Sequence, residues 1–178
     1  MLSVQQTNDP RAFSSLVDRW RAPILRLCTR MTGDRHLAED LTQETFARLL
    51  TRAGEFRHGS RFSTYLWRIA LNLCCDQRRR EGRQAVTAEG DATALVADDA
   101  PPDAIAAAHE QAEIVRTALG RLPDHYRSVV VLRHYEGLKF IEIADVLEIP
   151  EGTVKSRMAE ALNRLGEMLG PALDDELD

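Results

Sequence analysis

The chain has 178 residues, 44% of them hydrophobic and 29% charged, with a formal net charge of −5. That length suits one domain or two small ones, and that balance suits a globular fold rather than a disordered chain or a fibre. No apolar run approaches transmembrane length and Met1 to Asp9 has no signal-peptide pattern, so the expectation is a cytoplasmic protein without membrane insertion.

The first element opens at Asp9 and Pro10, a cap residue followed by a proline suited to the first helical turn. Phe13, Leu16, Val17, Trp20, Ile24, Leu27, Cys28 and Met31 then recur at three and four, which predicts a long amphipathic helix, bent near Pro23 and ended by Gly33. Asp34 caps a second helix running to about Arg52. Its inner face is Ala38, Leu41, Thr42, Thr45, Phe46 and Leu49, and Asp40, Gln43, Glu44 and Ala47 point the other way. Residues 53–61 form a short loop. A third helix, from Phe62 to about Arg80, carries Phe62, Leu66, Ile69, Ala70 and Leu73 on one stripe and Tyr65, Arg68, Asn72, Asp76 and Arg79 on the other. A face with an aromatic ring, an amide and guanidinium groups suits unstacked bases and a phosphate backbone, although a core helix with a solvated face has the same pattern. From Arg11 to Arg83 there are 15 arginines and no lysine against 8 acids, a net +7 that marks a polyanion binder.

Val86 to Pro102 is acidic, rich in small residues and ends in two prolines, which predicts a linker with little fixed structure. A fourth helix covers about Asp103 to Leu119. Pro123 opens a fifth, and Gly137 closes it. In LKFIEIADVLEIPEGTVKSRMAEALNRL, Ile143, Ala144 and Leu147 share one helical face. A break follows at Glu148, Ile149 and Pro150. Val154, Met158, Ala161, Leu162 and Leu165 then mark a second helix. Two short helices joined by a tight turn form a helix-turn-helix, with Thr153, Lys155, Ser156, Arg157, Glu160 and Asn163 outward. These combine phosphate-binding cations with base-reading hydrogen-bonders; an ordinary helical hairpin shares the periodicity but not the GTVKSR start. The span Arg121 to Gly170 has 7 bases against 8 acids, so this part should bind duplex DNA weakly unless docked on a larger machine.

The predicted fold is therefore all-α: two small helical bundles, 9–84 and 103–170, joined by a flexible acidic linker at 85–102 and followed by an acidic tail at 171–178. Cys28, Cys74 and Cys75 have no metal-binding spacing, and the adjacent pair has poor geometry for a disulfide, so neither a metal nor another cofactor is expected.

Three blocks in order resemble the extracytoplasmic-function sigma factors of bacterial RNA polymerase. AEDLTQETFARLL (Ala38 to Leu50) is similar to the family's polymerase-binding helix, FSTYLWRIALNLCCDQRRR (Phe62 to Arg80) to its promoter-melting helix, and Leu122 to Met158 to its upstream-element reader. The resemblance implies a non-enzymatic transcription factor whose partners are core RNA polymerase, promoter DNA and an anti-sigma factor. It assigns core binding to Asp40, Gln43 and Glu44. It assigns capture and melting of the start-proximal strand to Arg57, Ser60, Arg61, Phe62 and Asn72, and upstream DNA contact to Thr153, Lys155, Ser156, Arg157 and Glu160. Some positions depart from the family pattern. Leu71 stands where an arginine is frequent. Lys139 replaces a Ser or Thr cap, which predicts a weak helix start. Ala159, Glu160 and Leu162 stand where His and Arg are frequent. The rival readings are a free-standing helix-turn-helix regulator, which leaves the Arg-rich half unexplained, and a DNA-processing enzyme. The latter lacks a further acid to join Glu39, Asp40 and Glu44.

Overall fold

The computed structural model describes residues 10–52, 61–87 and 106–174, with side chains for 10–52, 61–82 and 111–170. Seven α-helices and no strand occur among the described residues, in keeping with the all-α expectation. They are α1 (Pro10–Thr32), α2 (Arg35–Thr51), α3 (Phe62–Thr87), α4 (Ala106–Arg121), α5 (Asp124–Val130), α6 (Phe140–Leu147) and α7 (Glu151–Asp174). Asp9, Arg57, Ser60, residues 88–102 of the expected linker, residues 103–105 at the expected start of the fourth helix and the end of the acidic tail lie outside the described residues.

The N-terminal bundle follows from its sequence pattern. α1 runs unbroken through Pro23 and buries Ile24, Leu27, Cys28 and Met31, with Phe13, Leu16, Val17 and Trp20 packed at the edge. Gly33 ends it at φ 80, a conformation that side chains resist, and the Gly33 N–H donates to Thr29 O at 2.7 Å. Asp34 then caps α2, its carboxylate accepting from the Leu37 N–H at 3.1 Å. All six inner positions read for α2 are buried. Thr42 and Thr45 tolerate burial because their hydroxyls donate to the carbonyls of Ala38 and Leu41 at 2.7 Å.

α3 buries a wider stripe than its apolar spacing predicts. Leu66, Ala70 and Leu73 are inside as expected, joined by Thr64, Trp67, Leu71 and Cys74, whereas Phe62 and Ile69 are only half-buried. The reason is that α3 packs on α1 and α2 on one side and on α6 of the second bundle on another. Trp20 is the hub of the first contact. It meets Phe62 edge-on at 6.0 Å and Trp67 edge-on at 5.8 Å. The helix continues to Thr87, beyond the expected start of the linker.

In the C-terminal bundle, α5 passes into a π-helical turn (Val131–Tyr135) that stops at Gly137, φ 71. The start of α6 is not weak, as Lys139 suggested. Glu142, three residues on, accepts from the Lys139 backbone N–H at 2.9 Å and supplies the cap from inside the helix. Glu148 ends α6 in the left-handed region (φ 55), and the Ile149 N–H returns to Ala144 O at 3.2 Å, closing the turn of the helix-turn-helix. Val154, Met158, Ala161 and Leu165 seat α7 in the core as read, but Leu162 is 48% exposed, so that helix buries a narrower face.

The two bundles are docked, and their buried residues form one connected core. Arg127 pins the junction. Its side chain is buried, and its guanidinium donates to Leu119 O (2.6 Å), Leu122 O (3.0 Å), Gly120 O and, across the junction, Met31 O (2.7 Å). Arg127→Ala strands these carbonyls without a donor and is expected to lower unfolding free energy by about 3 kcal/mol in urea denaturation.

Candidate nucleic-acid interface

Three polar faces remain on this frame. The first is on α2. Asp40, Gln43, Glu44 and Ala47 are exposed opposite the buried row, as the spacing required. Glu44 pairs with Arg48 at 2.7 Å, a surface pair of little energetic weight that holds its carboxylate in place. Leu50, 43% exposed, extends the same face one turn further, and the sequence reading did not single it out. Its signal was the seven-residue step from Gln43, two full turns along the helix.

The second face lies along α3. Arg61 precedes the helix and is exposed, Tyr65 and Arg68 are half-buried, and Asn72, Asp76 and Arg79 are exposed. Arg61 and Asn72 are about 16 Å apart along the axis and share one side. Phe62, read both as an apolar-stripe residue and as a base-capturing ring, has one edge committed to Trp20. The N-terminal half of this face is covered by the helix-turn-helix. Arg61 binds Glu142, and Arg68 donates to Glu148 (2.6 Å), Asp145 O (2.6 Å) and Val146 O (3.3 Å). Sequence reading placed Arg68 on the correct face but could not find this partner.

The third face is on α7. Ser156 is exposed and donates to Thr153 O at 3.0 Å, Thr153 and Arg157 are half-buried, and Lys155 pairs with Glu151 at 2.7 Å. Here the helix N-terminus, its dipole and its cations favour a phosphate. Glu160 is held by Arg164 at 2.8 Å, whose guanidinium lies 4.8 Å over the Tyr126 ring. Arg164 was missed from sequence, although the four-residue step from Glu160 announces such a pair. Nearby His125 is held below its usual pKa, first by burial and then by Arg157 and Arg164.

Between the walls of the two bundles lies a cleft of about 390 Å³, lined by Trp20, Trp67, Arg26, Glu136 and Glu142 among others. Glu136 is nearly buried, 3.6 Å from Arg30, and burial raises its pKa against the opposing effect of Arg26 and Arg30. No cluster of metal-ligating groups occurs among the described residues, and no helix among them is long and apolar enough to cross a membrane.

These faces coincide with two family patterns. Residues 16–84 match Sigma-70 region 2 and residues 112–165 match Sigma-70 region 4. The ECF RNA polymerase sigma factor SigW of Bacillus subtilis (strain 168) is 36% identical over 172 residues, covering 90% of each chain. The chain belongs to the ECF sigma factors. It is an RNA polymerase sigma factor, which binds core polymerase, recognises promoter elements and helps melt DNA for initiation. The RNA polymerase sigma-H factor of Pseudomonas aeruginosa (strain PAO1) is 35% identical over 177 residues, with 94% of this chain and 91% of that one covered.

Solved structures support the fold of this sigma factor. The sigma factor RpoE in complex with the anti-sigma factor NepR, from Bartonella quintana, superposes with a TM-score of 0.72 at 24% identity, over 90% of this chain and 98% of that one. CnrH in complex with the cytosolic domain of CnrY gives 0.68 at 23% identity, over 94% and 93%. Membership of the family sets aside the free-standing regulator.

Proposed function

We propose that the work of this sigma factor is divided among the three faces. Asp40, Gln43 and Glu44 grip core polymerase. Arg57, Ser60, Arg61, Phe62 and Asn72 take the start-proximal element as it melts. Thr153, Lys155, Ser156, Arg157 and Glu160 read the upstream element. The observation that carries this reading is the exposure of Asp40, Gln43 and Glu44 as one acidic face on a helix whose other side is wholly committed to the core. Lys155 and Arg157 set affinity through phosphate, while Thr153, Ser156 and Glu160 set base preference. The pairing of Glu160 with Arg164 favours a joint contact, in which the carboxylate accepts from cytosine and its neighbour meets the backbone.

The protein performs no catalysis of its own and works in the cytoplasm. Its regulator is an anti-sigma protein, the kind of partner that NepR is for its own sigma factor.

Three outcomes test the assignments. Asp40→Arg with Glu44→Arg is expected to weaken core-polymerase binding at least about 100-fold in a pull-down titration, with unchanged helical content by circular dichroism. Asn72→Ala leaves core binding intact and slows permanganate-detected promoter opening about tenfold, the effect of one lost hydrogen bond to a base. Arg157→Ala weakens all promoters alike and reduces the salt slope by about 1, whereas Glu160→Arg changes the upstream sequences selected from a randomised promoter pool. An unchanged selection would remove Glu160 from the base-reading set.

A further inference from the structure

The three cysteines of the chain take no part in the faces described above, yet two of them are placed as a pair. Cys28 lies on α1 and Cys74 on α3, and both are free thiols, fully buried in the core where those helices pack. Cys28 completes the inner row of Ile24, Leu27 and Met31, and Cys74 lies one turn beyond Ala70. The two thiols meet. Cys74 donates toward the Cys28 sulfur, and the Thr42 hydroxyl of α2 approaches the same sulfur. The Cys74 hydrogen bond holds Cys28 below the usual thiol pKa, against burial and with help from Thr42. The same bond, with burial, pushes Cys74 well above it. One member therefore favours the thiolate and the other keeps its proton. A single buried cysteine behaves as a small apolar side chain. A second thiol reaching it from a facing helix supplies the approach that a disulfide needs and that the adjacent Cys74 and Cys75 lack. Cys75 is half-buried and faces the Ser128 hydroxyl of α5 instead.

We propose that Cys28 and Cys74 form a dithiol oxidation site, at which a hydroperoxide drives a disulfide that staples α1 to α3 around α2. The Cys28 thiolate attacks a peroxide oxygen, the O–O bond breaks, and water or an alcohol leaves. Cys28 then carries a sulfenic acid. The Cys74 sulfur attacks the Cys28 sulfur, the S–O bond breaks, and water leaves with the Cys74 proton. The protein gives up two electrons and two protons, and the peroxide takes them. Burial sets the threshold. Neither sulfur is open to solvent, so oxidation waits on local opening of the bundle and spares the resting protein. In a reducing compartment such a bond forms on challenge and is later reduced. While it lasts, it closes a loop from Cys28 to Cys74 that contains the whole of α2. That loop removes unfolded conformations and keeps the N-terminal bundle assembled when an oxidant is present.

The test uses the full-length chain, treated with hydrogen peroxide, blocked with N-ethylmaleimide and digested with trypsin without reductant. Cys28 falls in the peptide LCTR, and Cys74 and Cys75 fall in IALNLCCDQR. Mass spectrometry of the monomer is expected to find these two peptides joined, with the bond on Cys74 and the maleimide on Cys75. Thermal unfolding followed by circular dichroism is expected to shift upward by about 10 °C on oxidation and to return with dithiothreitol. Cys75→Ser should behave as wild type, and Cys28→Ser should show neither the joined peptide nor the shift. A bond through Cys75, or oxidation confined to Cys75 with no joined peptide, overturns the site. A joined peptide without a higher midpoint overturns the staple. Should Cys28→Ser fail to fold, reversal of the wild-type shift by dithiothreitol supplies the same control, and a shift that persists after reduction shows that the disulfide does not cause it.

Discussion

A guanidinium without water must find an acceptor for nearly every donor, and helix C-termini are where unpaired carbonyls are found. Arg127 joins these two requirements. Its donors end on the carbonyls that close α4 and on Met31 O near the end of α1, and Arg78 reaches the same Met31 carbonyl at 3.2 Å. Both helix ends carry partial negative charge, so the contact is electrostatically favourable as well as geometrically demanding. From it follows the placement of α5, then of α6, and so of the turn that covers Arg68. Few other arrangements would satisfy this side chain.

What could be read from the chain divides along the range of the interactions. The buried row of α2, the cap at Asp34, the stop at Gly33 and the break at Glu148 are local, and residue type at fixed spacing declares them. The exposed triad Asp40, Gln43 and Glu44 belongs to this group, being the complement of a periodic row. The docking does not. Arg127 and Met31 lie 96 positions apart, and Arg68 and Glu148 lie 80 apart, distances at which periodicity carries no information. Local reading also misjudged residues whose environment comes from elsewhere. Ile69 is only half-buried, Leu162 is exposed, and Lys139 begins a helix that its partner Glu142 caps.

The acidity that looks wrong for a DNA-binding protein acquires a location. In the helix-turn-helix half the carboxylates do not crowd the reading helix unopposed. Glu151 and Glu160 are paired within α7, and Glu142 and Glu148 face α3. Net charge thus describes this chain poorly, and the direction in which each acid points describes it well.

Both tryptophans of the chain, Trp20 and Trp67, line the cleft between the bundles, edge to face with one another. The C-terminal half has none. Indole emission therefore comes from one wall of the cleft alone, and from a ring pair whose surroundings turn watery when the opposite wall leaves. The protein carries its own optical gauge of separation, readable in a cuvette with no dye attached and no cysteine altered.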